Sequence, residues 1–291
     1  MKIVLLEPLG IPAEVLAQYQ ARLEAQGHSM VCYGARTTDP AELLRRTGDS
    51  DIAILANTPY PASVVEGASQ LKLLNVAFTG VDHVALEACR AKGVTVCNAA
   101  GYSTQCVAEL ALGLTIACLR QLPVCEAAAR SGGAGTPFRG REIAGRTVGI
   151  VGTGAIGTRT AQLFQAFGAR VIAYSRTRRP EVERLGVTYV SLEELLQQSD
   201  IVSLHVPSNG ETKGLLSRQR LAMMKPSAIL INVARGAIVD NVALAEALNQ
   251  GQLAGAGIDV FDQEPPLPPE TPLLHAKNAV LTPHVAFATA E

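Results

Sequence analysis

The segment that most constrains this chain is Thr147-Val148-Gly149-Ile150-Val151, which runs straight into Gly152-Thr153-Gly154-Ala155-Ile156-Gly157. The first five residues read as a buried strand, and Ala155–Phe167 has the periodicity of an amphipathic helix. A G-x-G-x-x-G spacing alone is weak. Here a strand precedes it, a helix follows, and a second strand, Arg170–Tyr174, comes next, which is the context that makes the motif specific. Gly152 permits a tight turn, Gly154 lets the backbone approach a pyrophosphate, and Gly157 lets helix and strand touch. The unpaired N–H groups and the dipole at the helix start attract the anion.

The rest of the chain alternates in the same way. Lys2–Leu6, Ser29–Tyr33, Ile52–Leu55, Leu73–Val76 and Val94–Cys97 read as strands, with Ala13–Gln26, Ala41–Arg46, Ala62–Gly67 and Ala85–Lys92 as helices between them. A second series follows the glycines, with strands at Val187–Val190, Asp200–Leu204, Ala228–Asn232 and Gly255–Asp259, and helices at Leu192–Gln197 and Asn241–Asn249. Such alternation implies parallel sheets with helices on both faces. The expected fold is α/β with two doubly wound parallel-sheet domains: a flavodoxin-like domain over 1–98, with 285–291 returning toward it, and a central Rossmann dinucleotide-binding domain over 99–284. The halves share an architecture and no close sequence repeat.

Ser103 is placed to cap a helix running to about Gln121, and residues 131–140 read as a surface loop. Val107, Leu110, Ala111, Leu114, Ala117 and Cys118 stripe one side of that helix, and Leu112, Ile116 and Leu119 the other. A helix apolar nearly all round must be covered on all sides, within one subunit or against a second copy, and a homodimer is expected.

A formal net charge of −1 gives no global basic field to hold DNA, RNA or an anionic membrane, so neither is an expected partner. Leu110–Leu119 falls far short of the ~20 apolar residues of a membrane span, and only four apolar residues separate Lys2 from Glu7, too few for a secretory core, so a cytoplasmic location is expected. The six cysteines, Cys32, Cys89, Cys97, Cys106, Cys118 and Cys125, form no C-x-x-C pair and read as reduced, with no metal site.

A chain that prefers NAD usually carries Asp or Glu ~20 residues past the glycines, at the end of the second strand, to bind the ribose 2′-OH. This one has Tyr174-Ser175-Arg176-Thr177-Arg178-Arg179 there, and its first acid is Glu181. Hydroxyls and guanidiniums suit a 2′-phosphate, so NADP(H) is favoured over NAD(H).

Three later segments put charge at strand ends. Ile229–Asn232 leads to Arg235, Gly257–Val260 leads to Asp262 and Glu264, and Val280–Leu281 leads to His284. Each residue alone is ordinary, since an Arg–Gly is usually a turn, a Glu before Pro-Pro is usually surface, and a lone His is usually structural. Together, downstream of a dinucleotide motif, they form a coherent set. Arg235 can grip a substrate carboxylate with its planar fork, and His284 can protonate a carbonyl as hydride arrives. Glu264, if bonded to the imidazole, favours its cationic form. His205, at another strand end, more plausibly lines the cofactor cleft.

These segments, from about Leu71 to Ala286, closely resemble the D-isomer-specific 2-hydroxyacid dehydrogenase family. The resemblance implies a small 2-keto or 2-hydroxy acid substrate and catalytic roles for Arg235, Glu264 and His284. It implies cofactor contacts at Thr79, Ala155, Ile156, Val206, Pro207, Thr212, Val233, Ala234 and Asp259, beside the glycines and Ser175–Arg178. Backbone at Gly80 and Val81 would meet the substrate carboxylate near a loop holding Asn57 and Tyr60. The basic segment is similar to that of the glyoxylate and hydroxypyruvate reductase branch. Glu264 stands where the formate dehydrogenase branch has glutamine, and nothing resembles the extra interaction segments of related corepressors. Two departures stand out: the family's tryptophan before the Rossmann strand is absent, and the family's helix beyond the histidine motif, which returns to the substrate domain, is not seen before Glu291.

Overall fold

The computed structural model describes residues 1–134, 138–263 and 266–290, and the chain divides into two compact units, Met1–Tyr102 and Ser103–Glu291. The first unit alternates β1 (Lys2–Leu5), α1 (Ala13–Glu24), β2 (Ser29–Cys32), α2 (Pro40–Thr47), β3 (Ile52–Leu55), α3 (Ala62–Gly67), β4 (Leu73–Val76), α4 (Leu86–Lys92) and β5 (Thr95–Asn98). Its five parallel strands lie in the order β2-β1-β3-β4-β5. Period-two alternation sends Ala53 and Leu55 inward to meet Val64 and Val65 of α3 and Leu43 of α2, all 0% exposed. Asp39 caps α2 by accepting from the Ala41 N–H, and Pro40 fills the first helical turn, where its missing donor costs nothing.

The second unit opens with α5 (Thr104–Leu119) and α6 (Leu122–Arg130). Then come β6 (Thr147–Val151), α7 (Ala155–Ala166), β7 (Arg170–Tyr174), α8 (Pro180–Glu183), β8 (Thr188–Tyr189), α9 (Leu192–Gln198) and β9 (Ile201–Leu204). It closes with α10 (Arg218–Leu221), β10 (Ile229–Asn232), α11 (Asn241–Asn249), β11 (Gly255–Ile258) and β12 (Ala279–Leu281). The seven strands are parallel, in the order β12-β11-β10-β9-β6-β7-β8. The chain enters mid-sheet at β6, walks out to β8, and crosses back to β9. The reversal between β6 and β9 opens the crevice in which such sheets bind ligands. Val148 and Ile150 face α5 and α7, while Val151 faces the side covered by α9 to α11. Both faces of the sheet are dry, which is why its strands read as nearly unbroken apolar runs.

Two local expectations change. Ser103 sits at the α5 N-cap position without a capping side-chain bond, and the helix stops at Leu119 because Gln121 turns left-handed at φ 53°. Pro123 then restarts a helix, α6, none of whose residues is buried. On α5, Val107, Ala111 and Leu114 are buried, while Leu112 and Ile116 are only partly covered within this chain. Among the described residues no single helix is long and apolar enough to cross a membrane. Residues 285–290, expected to return toward the first domain, group with the second unit, where Ala286 is 5% exposed in its core.

Candidate active site

Gly152 turns the chain off β6 at φ +97°, and a Cβ there would sit 2.6 Å from the His205 carbonyl oxygen. A Cβ on Gly157 would lie 1.9 Å from the Gly152 oxygen, so only glycine lets α7 start this close to the strand. Gly154, by contrast, has nothing within 4 Å of its Cβ position. The loop is therefore closed on the protein side and open where a pyrophosphate would approach the α7 N-terminus, and these residues fit a dinucleotide.

His205 leaves β9 beside this turn, half-buried, with Nε2 2.9 Å from Ser203 Oγ. Burial pushes its imidazole down to about 3, so it stays neutral at ordinary pH. Val206 borders Gly152, its Cγ1 2.8 Å from where a Cβ would stand. Thr212, expected at the cofactor, is buried and donates its hydroxyl to the Pro207 oxygen at 2.5 Å, so it shapes the loop bearing Val206 and Pro207. Beyond β7, Arg176, Thr177 and Arg178 are exposed and Ser175 is half-buried. Arg176 pairs with Glu211, and the Arg178 guanidinium lies 5.9 Å from the Tyr189 ring centroid.

Parallel register sets the chemical residues side by side. Asn232 of β10 is level with Ile258 of β11, and Ile258 with Leu281 of β12. Arg235 follows β10 and His284 follows β12, each three residues past its strand end. Sequence reasoning missed the bracing. Asn232, 0% exposed, accepts from the Ala234 N–H at 3.1 Å and donates to the Arg235 oxygen at 2.9 Å. A Cβ on Gly236 would come 2.0 Å from the Phe261 carbonyl carbon, so the loops after β10 and β11 are pressed together. Glu264 lies outside the described residues.

Between them sits Asp259, fully buried directly after β11. Its Oδ1 accepts from Thr282 Oγ1 at 2.5 Å and the Val285 N–H at 2.9 Å, and its Oδ2 from the Ala286 N–H at 2.9 Å. These bonds straddle His284, which holds φ +56°, a left-handed conformation that histidine tolerates better than most residues. The His284 ring meets Phe287 edge-on at 5.8 Å. Asp259 was expected among the cofactor contacts. Both of its carboxylate oxygens accept from the histidine loop.

Residues 112–286 match the model of the NAD-binding domain of D-isomer-specific 2-hydroxyacid dehydrogenases. The chain is 40% identical over 256 residues to a glyoxylate reductase of Korarchaeum cryptofilum, covering 86% of this chain and 77% of that one. It is 30% identical, with a TM-score of 0.91, to an acyclic imino acid reductase solved with NADPH and D-Arg, covering 100% of this chain and 92% of that one. It is 28% identical, with a TM-score of 0.87, to the D-lactate dehydrogenase of Aquifex aeolicus solved with NAD and lactic acid, covering 100% of this chain and 90% of that one. The chain belongs to the D-isomer-specific 2-hydroxyacid dehydrogenase family. It is an NAD(P)-dependent oxidoreductase of keto and hydroxy acids.

The first unit of this dehydrogenase corrects one further expectation. Tyr60 is 0% exposed, with its hydroxyl 3.0 Å from Thr47 Oγ1, and burial pushes the phenol up to about 12. It is a core residue with no side-chain atom to offer a substrate. Asn57 is exposed, and its loop is fixed from behind: Glu7 Oε1 accepts from the Ala56 and Thr58 N–H groups at 2.7 Å each, and Arg36 donates to the Asn57 oxygen at 2.8 Å. Neither Glu7 nor Arg36 stood out in the sequence. Gly80 and Val81 are half-buried, and the neighbouring Thr79 oxygen accepts from Asn98 Nδ2 at 2.6 Å.

Proposed function

We propose that this dehydrogenase reduces a small 2-keto acid of the glyoxylate or hydroxypyruvate kind to the D-2-hydroxy acid, and catalyses the reverse, with NADP(H) preferred over NAD(H). The observation that carries the reading is the Asp259 brace, which spends a fully buried carboxylate on holding one histidine in left-handed backbone at the carboxyl edge of the glycine-turn sheet. When bound, the nicotinamide supplies a hydride to the substrate carbonyl carbon. His284 gives the carbonyl oxygen its proton, and takes the alcohol proton in reverse. Arg235 holds the substrate carboxylate in its two-pronged guanidinium and orients the carbonyl. Glu264 favours the cationic imidazole. The backbone at Gly80 and Val81 and the Asn57 loop are assigned to the substrate, and Thr79, Val233 and Ala234 to the cofactor.

The glyoxylate reductase of Korarchaeum cryptofilum supports the substrate class, and the acid-free Ser175–Arg178 segment supports the 2′-phosphate. Partly covered Leu112 and Ile116 of α5, with exposed Leu122 and Val124 of α6, support a second copy of the chain as the covering partner. The test is a panel of 2-keto acids with NADPH and NADH, repeated on His284→Ala. The expected result is fastest turnover of glyoxylate or hydroxypyruvate with NADPH, and a loss of about 10²–10⁴ in kcat without the imidazole. A His284→Ala enzyme as fast as the wild type would refute the assignment.

A further inference from the structure

We infer that Tyr189 is a positioning residue for cofactor discrimination: its hydroxyl ties the glycine-rich turn to the basic segment that would receive a 2′-phosphate. The inference rests on the NADP(H) reading above and assigns the residue that makes it work.

Tyr189 belongs to the two-residue edge strand β8 and pairs with Ala173 of β7. Its ring is buried among Val171, Val182 and Val187. Packing alone would be served by phenylalanine. The hydroxyl does more. It lies 2.8 Å from Thr153 Oγ1, inside the glycine turn, and accepts the Arg179 N–H at 3.2 Å. Thr153 is itself 1% exposed, so this contact is a built feature of the interior and no surface accident.

The consequence is a closed loop. At one end Tyr174 is held by the strand ladder and by the Gly152 N–H, which donates to its carbonyl at 2.7 Å. At the other, Arg179 is drawn back to the sheet edge by the Tyr189 hydroxyl. The four residues between, Ser175 to Arg178, carry two hydroxyls and two guanidiniums. The same phenol that fixes the loop also carries Arg178 over its ring face, a cation–π arrangement. One side chain thus sets the position of the basic segment relative to the turn that takes the pyrophosphate. Loop ordering done before binding need not be done at the expense of affinity. A cofactor with a 2′-phosphate gains from this arrangement. One without it uses the glycine turn alone.

The experiment compares wild type with Tyr189→Phe, which keeps the ring and its packing. Adenosine 2′,5′-bisphosphate and 5′-AMP are titrated by calorimetry without substrate, and KM is measured for NADPH and NADH. Loss of the tether should weaken the bisphosphate and raise KM for NADPH by about 5- to 10-fold, the worth of one net hydrogen bond, with 5′-AMP and NADH changed by less than about twofold. A variant that weakens both nucleotides equally, or neither, overturns the tether while leaving the cofactor reading intact. A wild-type enzyme that binds 5′-AMP as tightly as the bisphosphate overturns the cofactor reading, and the tether with it.

Discussion

Asp259→Asn separates bracing of the histidine loop from contact with the cofactor. Both carboxylate oxygens accept hydrogen bonds, from Thr282, Val285 and Ala286. An amide has one oxygen. If that oxygen keeps Thr282 and Val285, its NH₂ faces the Ala286 N–H, donor against donor; if it flips, Ala286 is satisfied and the NH₂ can donate to Thr282 Oγ1, but the Val285 N–H is left facing a donor. At least one buried N–H is orphaned, at a cost of about 1–3 kcal/mol. The surviving bonds lose their charge assistance, which is about half their strength. The sum is about 2–4 kcal/mol, enough to lower the melting temperature by roughly 5–15 °C in a unit of this size. The left-handed backbone of His284 stores about 1 kcal/mol more, which a loosened loop releases by moving the imidazole. We expect kcat to fall by about 10- to 100-fold, less than outright loss of the acid would cost. Stopped-assay kinetics with circular-dichroism melting read both effects on one preparation. A variant whose melting point and kcat are unchanged while KM for the cofactor rises would refute the brace and return Asp259 to the cofactor.

Two further outcomes follow from the crevice between β6 and β9. Burial depresses the His205 pKa from its ordinary ~6.5 to about 3, so the unfolded chain takes up a proton that the folded chain refuses. Stability is then lost as pH falls below about 6.5, by at most about 1.4 kcal/mol per pH unit, and is independent of this group above it. Urea unfolding at several pH values should show a shallower acid slope in His205→Gln than in wild type, and equal slopes would remove the account. Gly157→Ala puts a methyl 1.9 Å from the Gly152 oxygen, so the turn must open. Fluorescence titration should show NADH and NADPH both weakened by more than about tenfold, with about 1–3 kcal/mol of overpacking strain in the melting curve; unaltered binding of either would mean that the turn does not hold the pyrophosphate.

The sequence told the parallel sheets apart from their helices because burial on both faces leaves a local mark. Thr147–Val151, Arg170–Tyr174 and Asn241–Asn249 occupy the spans that their apolar runs suggest. It also placed Arg235 and His284 correctly after strands, since a strand end is a local event. It could not say which way a side chain turns once the strand has ended. Tyr60 and Thr212 look like ligand-facing residues on loops, and both are spent inside the protein, one on Thr47 and one on Pro207. α6 was missed because it is only nine residues long, carries Pro123 in its first turn and buries none of its residues, so no core-facing stripe marks it. Glu7 was invisible for a different reason: its partners, Ala56 and Thr58, lie 49 and 51 residues away.

Glu7 and Asp259 nonetheless answer the same physical need. Where a parallel strand ends, its outgoing loop loses the ladder, and its N–H groups must find acceptors or be left bare. In each unit an acid just past one strand serves the loop of the neighbour it pairs with: Glu7 past β1 holds the loop after β3, and Asp259 past β11 holds the loop after β12. Both carboxylates are buried, at 4% and 0% exposure, so neither meets solvent in the way a binding group would. An ionised oxygen is the acceptor that can take several N–H groups at once and hold them tightly. Asn57 and His284, the residues proposed for the substrate, therefore sit on loops whose backbone N–H groups these two acids hold. The reactive groups can be few and small because the carboxylates behind them fix their backbone.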